Sequence, residues 1–167
     1  MKSHFLIVKI KNKENSINKS NSGGYHSKTD LNKRDIHSFN VINGIGLELV
    51  NNLVLEKDYN IKSKCKDTSG MWFIINNKND YNKKHTHPGS FFSGAYYVKV
   101  PEKGSRIIFE DPLKVRKHEC MSLSGYEINV QEGMFILFPS WLEHKVPVNN
   151  DENKRIVISF NVNYPRI

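Results

Sequence analysis

The sequence predicts a mainly β protein, an antiparallel sandwich or barrel with an amphipathic helix in its first third. Two observations carry this. Beyond Gly70 come six short apolar or alternating runs, MWFIIN, SFFSGAYYVKV, SRIIFED, GYEINV, MFILFPSW and RIVISFNV, separated by turn-forming PEKG, SLSG, QEG and NNDEN. Short runs punctuated in this way, with no helical periodicity between them, build antiparallel sheets. Between Ile36 and Lys57, by contrast, Ile42, Ile45, Leu49 and Leu53 recur at three- and four-residue spacing, which predicts one helix over about 38–57 despite Gly44 and Gly46.

At 167 residues the chain suits one domain, and 38% hydrophobic residues with nine Phe, seven Tyr and two Trp are enough for a core. Residues 1–34 read as a basic, partly flexible segment ahead of a β domain over 35–167. Within the first part, Lys11 to Ser27 (KNKENSINKSNSGGYHS) has Ile17 as its one aliphatic residue, which predicts a mobile loop or an irregular cover. The formal charge of +8 invites a nucleic-acid reading, but residues 1–34 hold eight Lys/Arg and two Asp/Glu, while the rest holds seventeen against fifteen. The near-neutral remainder argues against a nucleic-acid partner. No apolar run approaches the ~18 residues of a membrane span, so a cytoplasmic protein is expected. Cys65 and Cys120, two thiols without CxxC spacing, suggest neither a disulfide framework nor a thiolate zinc site.

Three of the seven histidines stand out. His85 and His87 lie in KKHTHPG, and on an extended backbone residues i and i+2 point to the same side. His144, 57 residues after His87 in FPSWLEHKV, is again placed where a strand meets a turn. Two close histidines and one distant one fit a metal held inside a β-barrel by two strands. Arg155 opens RIVISFNV, in which Arg155, Val157 and Ser159 share a face; a guanidinium and a hydroxyl near a metal suit the far carboxylate of a dicarboxylic acid.

The stretches HTHPGSFFSGAYYVKVPEKGSRIIFEDP, EGMFILFPSWLEHKVPVN and KRIVISFNV, in this order and spacing, closely resemble the 2-oxoglutarate/iron(II) oxygenase family typical of bacteria and their phages. Looser similarity, in SNSGGYHSKTDL and the following helix, extends the match over nearly the whole chain. The resemblance implies a double-stranded β-helix, a jelly-roll or cupin-like barrel with one or two N-terminal helices packed outside. It implies Fe(II), 2-oxoglutarate as cosubstrate and O2, with release of succinate and CO2 as a substrate is hydroxylated. His85 then matches the first ligand, His144 the distal histidine and Arg155 the grip on the cosubstrate, with Ser159 and one of Tyr96 or Tyr97 as helpers, since adjacent strand residues face opposite ways.

In the wider superfamily a carboxylate lies two residues after the first histidine; here that position is His87. Either His87 completes a three-histidine site, or two histidines hold the iron, or a carboxylate such as Asp111 or Glu110 folds back; the first keeps the local geometry. Taken singly, His85 and His87 read as a basic turn and a strand cap, Arg155 as a salt-bridged strand residue, and the aromatic run Phe91, Phe92, Tyr96 and Tyr97 as packing. Their co-occurrence reverses this. Trp72 and Trp141 are expected to pack, Trp141 with the option of lining the mouth, and Asp111 and Pro112 to make a turn. His4, His26, His37 and His118, with no partners at metal spacing, are expected on the surface. Two rivals stay open: a three-histidine cupin of the thiol-dioxygenase type without 2-oxoglutarate, for which Pro139 and Asn149 have suitable spacing around His144, and a non-catalytic binding barrel. The expected partners are a small-molecule or peptide substrate and, through outer strands, a second copy as a homodimer.

Overall fold

The computed structural model describes residues 2–56, 64–102, 105–112 and 125–164, with side chains from Leu6 onward. His118 and Cys120 lie outside the described residues. Helix α1 (Lys2–Lys11) is followed by two short strands, β1 (Asn21–Ser22) and β2 (Tyr25–His26), a 3-10 turn at Leu31–Lys33 and the long helix α2 (His37–Glu56). Eight further strands follow: β3 (Thr68–Asn76), β4 (Tyr81–His85), β5 (Phe92–Lys99), β6 (Arg106–Phe109), β7 (Tyr126–Asn129), β8 (Phe135–Pro139), β9 (His144–Val146) and β10 (Arg155–Val162). They form two antiparallel sheets, a major one in the order β2-β3-β10-β5-β8 and a minor one in the order β1-β4-β9-β6-β7. This is the jelly-roll arrangement of the double-stranded β-helix, and its interior lies between the sheets.

Strand periodicity divides the major sheet into two unlike faces. On β10, Ile156, Ile158, Phe160 and Val162 join the principal core with Phe39, Ile42, Val50 and Val54 of α2, whereas Arg155, Val157, Ser159 and Asn161 line the interior. Gly46, which lowers the helix propensity of α2, has a packing reason: a Cβ there would lie 2.6 Å from Cζ of Phe160, and one at Gly94 of β5 would collide with the same ring. Two glycines thus admit a phenyl ring between helix and sheet.

The N-terminal segment lies along both sheets. Lys11 to Ser27 supplies β1 to the edge of the minor sheet and β2 to the edge of the major sheet. It changes sheets at Gly23 and Gly24, whose φ angles of 73° and 64° favour glycine. Ile7, Ile10, Tyr25 and Leu31 pack in the same core as α2 and β10. Arg34 ties the segment down, donating to both carboxylate oxygens of Glu14 at 2.7 and 2.9 Å and to Asp30 at 2.8 Å. The local sequence is polar because its backbone pairs along sheet edges while few of its side chains enter the core.

Three expectations are corrected. His26 is 3% exposed, not a surface residue. Trp141 is 62% exposed and does not pack. Strands β4 and β9 were hidden in the sequence because their apolar alternation is short and interrupted by lysine.

Candidate metal centre

The site is assembled from the two shortest predictive signals in the chain. His85 ends β4 and pairs across the ladder with His144, which opens β9, and this places their ring centroids 4.3 Å apart. His87 follows two residues later, where its backbone N–H donates to the carbonyl of Ser140 at 2.9 Å, so the turn between β8 and β9 fixes the HTH loop. Nε2 of His87 lies 3.3 Å from Nε2 of His144, and the ligand atoms of all three rings fall within 4.8 Å of one another. Two imidazoles bound cis at ~2.1 Å from a first-row metal would bring their nitrogens to about 3 Å.

Backbone carbonyls orient two of the rings. Nδ1 of His85 donates to the Lys83 carbonyl at 2.7 Å and Nδ1 of His144 to the Leu142 carbonyl at 2.9 Å, which leaves each Nε2 with its lone pair for a metal. Burial then keeps the rings neutral. It lowers His87 from 6.5 to about 3, helped by the neighbouring His144 and His85, and lowers His144 to about 4, helped by His85. His85 is also lowered by burial, against a smaller opposing effect of the Lys83 carbonyl. Three neutral imidazole nitrogens are a fitting donor set for a divalent first-row metal such as iron(II).

The histidines open on a cavity of about 530 Å³ between the sheets, and Arg155, Tyr97 and Ser159 line it too. Arg155 is 5% exposed, its guanidinium 5.2 Å from the Tyr97 ring centroid. Among the described residues, neither its Nε nor the Tyr97 hydroxyl has a partner with hydrogen-bond geometry, the two groups attracting each other without closing a bond, and no carboxylate pairs with Arg155. Burial lowers the pKa of Arg155 and raises that of Tyr97, with the attraction between the two groups opposing each shift. A buried guanidinium without a counter-ion is costly, and an entering carboxylate would relieve the cost. Tyr96, on the opposite face of β5, packs against Phe135 at 4.7 Å with its ring tilted, and does not line the cavity.

The alternative carboxylates are placed elsewhere. Phe109 pairs with His144 and packs inward against Phe138 at 4.9 Å, so the next side chain, Glu110, turns away and accepts from Lys145 at 2.9 Å. Glu110 and Asp111 line a separate apolar cleft with Pro112 and Leu142, and neither approaches the histidine cluster. Asn149 serves the scaffold: its side-chain amide donates to the carbonyls of Asn76 and Asn153.

Two cavity residues had no functional signal in the sequence. Trp72, expected as packing, is buried but lines the cavity, and its ring lies 5.6 Å from His87. His26 stacks on Trp72 at 5.8 Å and 12°. The one sequence cue for His26 was its position in SNSGGYHSKTDL, because the residues it meets in the cavity wall, Trp72 and Ile74, lie 46 and 48 positions away.

Residues 70–161 match the family model described as "Putative 2OG-Fe(II) oxygenase". No curated protein matches the chain. Among solved structures, a prolyl-4-hydroxylase from Pseudomonas putida superposes with a TM-score of 0.66 at 13% identity, over 98% of this chain and 85% of its own. The collagen prolyl hydroxylase of Paramecium Bursaria Chlorella virus-1 gives 0.59 at 15% identity, over 95% of this chain and 87% of its own. A 2OG-Fe(II) oxygenase family oxidoreductase from Burkholderia pseudomallei gives 0.57 at 12% identity, over 78% of this chain and 59% of its own. At these identities the likeness is one of fold. No helix among the described residues is long and apolar enough to cross a membrane.

Proposed function

The chain belongs to the 2-oxoglutarate/iron(II) oxygenase family, and from that premise we propose that His85, His87 and His144 hold iron(II) while Arg155 holds the far carboxylate of 2-oxoglutarate. When bound, the iron supplies the redox centre at which O2, 2-oxoglutarate and a substrate C–H group become succinate, CO2 and a hydroxylated product. The protein's own contribution is positional. The Lys83 and Leu142 carbonyls hold two ligand rings in the binding tautomer, and burial keeps the imidazoles neutral. The Arg155 guanidinium, seated over Tyr97, offers a charge-assisted grip at a fixed place. The Tyr97 hydroxyl and Ser159 are positioned to add hydrogen bonds to the same carboxylate.

The observation that carries this reading is Arg155: a buried cation without a carboxylate partner, in the cavity onto which three neutral histidines open. A three-histidine cupin that does not use 2-oxoglutarate has no need of it.

The test is anaerobic reconstitution with iron(II), followed by 2-oxoglutarate and O2 and measurement of succinate. Wild type is expected to release succinate, His144→Ala to lose iron, and Arg155→Ala to retain iron but lose at least ~100-fold in 2-oxoglutarate affinity. Wild type that binds iron and ignores 2-oxoglutarate would sink the proposal in favour of the cupin rival.

A further inference from the structure

The cavity has a second side that the cosubstrate does not reach. Across the major sheet His26 pairs with Ile74, Ile74 with Val157 and Val157 with Tyr97. Three strand spacings of ~4.8 Å put His26 about 14 Å from Tyr97, whereas a five-carbon dicarboxylate is about 6–7 Å long. A molecule held at Arg155 therefore leaves the His26 wall bare. That wall is built. His26 is 3% exposed, and its Nδ1 donates to the Ser27 carbonyl at 2.7 Å, so its Nε2 is an acceptor, without a partner among the described residues. Trp72, on which it stacks, has an Nε1–H donor that is buried and also unpartnered.

The rim above this wall has one sign of charge. Lys19, Lys83, Lys84 and Arg155 line the cavity, and no Asp or Glu among the described residues does. Lys84 pairs with Glu143 at 3.3 Å and Arg155 is assigned to the cosubstrate, but Lys19 and Lys83 form no ion pair among the described residues. They lie on adjoining segments: β1 pairs with β4 at Asn21 and Asn82, which sets Ser20, the neighbour of Lys19, opposite Lys83, and the Lys83 N–H donates to the Ser20 carbonyl at 2.8 Å. Like charges gathered on the lining of one cavity repel each other, and an anion between them would turn that repulsion into binding.

We propose that the molecule oxidised at this site carries a carboxylate or phosphate group, held by Lys19 and Lys83, with its body against the His26–Trp72 wall. This rests on the assignment of Arg155 to 2-oxoglutarate. Trp72 provides the readout, because the exposed Trp141 can be replaced by Phe so that Trp72 alone reports. Iron-loaded, anaerobic Trp141→Phe protein saturated with 2-oxoglutarate is titrated with sodium acetate, sodium phosphate and acetamide at constant ionic strength. Acetate or phosphate is expected to shift the Trp72 emission saturably and acetamide not to, the tighter oxyanion identifying the group. Lys19→Gln/Lys83→Gln is expected to weaken that binding at least ~10-fold while 2-oxoglutarate affinity stays within about twofold. An equal response to acetamide, or unchanged affinity in the double variant, overturns the proposal. A parallel fall in 2-oxoglutarate affinity overturns it too, by returning the lysines to the cosubstrate. Failure of the cosubstrate reading appears separately, as no saturable signal from 2-oxoglutarate in the protein before any oxyanion is added. In that case the titration of Arg155→Gln protein without 2-oxoglutarate still reads the lysines alone.

Discussion

The two sheets divide labour unequally. The major sheet has long strands, β3, β5 and β10, whose outer faces are buried under α1 and α2, and it contributes Arg155, Tyr97, Ser159 and Trp72 to the cavity from its inner face. The minor sheet has strands of two to five residues, an outer face with exposed ion pairs such as Arg106–Glu127, and contributes His85 and His144. Stability is thus concentrated behind Arg155, the proposed cosubstrate anchor, and the proposed metal ligands sit on the weaker partner. Helix burial needs continuous apolar strands, whereas ligand placement needs one pair in register.

That comparison breaks most visibly at Phe160. Phe160→Ala removes the ring lodged against Gly46 and Gly94 and is expected to lower unfolding free energy by about 3–5 kcal/mol in urea titration. On the minor sheet the larger effect falls on binding. His87→Ala is expected to weaken metal affinity at least ~100-fold in a metal titration, while Glu110→Gln leaves it unchanged, because the Glu110 carboxylate is committed to Lys145 on the outer side. Equal losses in both variants would restore the carboxylate-ligand alternative.

Acid should act through the same histidines. Unfolded imidazoles take up protons near 6.5, whereas folded His144 and His87 stay neutral to about 4 and about 3. As pH falls from 6.5 towards 4, the unfolded state binds protons that the folded state does not, so stability is lost with acid and regained as pH rises. The melting temperature of metal-free protein is expected to fall through this window, and His87→Gln to make the fall shallower. The smallest effect belongs to the outer face: Glu127→Ala breaks a half-exposed ion pair with Arg106 and is expected to cost no more than about 1 kcal/mol in the same urea titration.

How far the site was legible follows from the range over which each residue acts. His85 and His87 were visible because i and i+2 share a face on extended chain, and Arg155 and Ser159 because they share a face of an obvious strand. Tyr97 against Tyr96 was a two-way choice that only the register with Val157 decided. His26 was missed because strand β2 has two residues and too little pattern to show where it points. Gly46 looked like a defect in a helix until Phe160 appeared opposite it.

The sequence alone determined the β class, the long helix, the family and the residues that make up its three motifs, since periodicity, turn chemistry and motif order are all written along the chain. Only the tertiary structure decided that Glu110 faces away from the histidines, that a polar N-terminal stretch edges both sheets, and that Lys19, Lys83 and His26 share a cavity with Arg155. Those placements depend on strand pairing between residues 35 to 94 positions apart, and such pairing is set by the packing of the whole barrel.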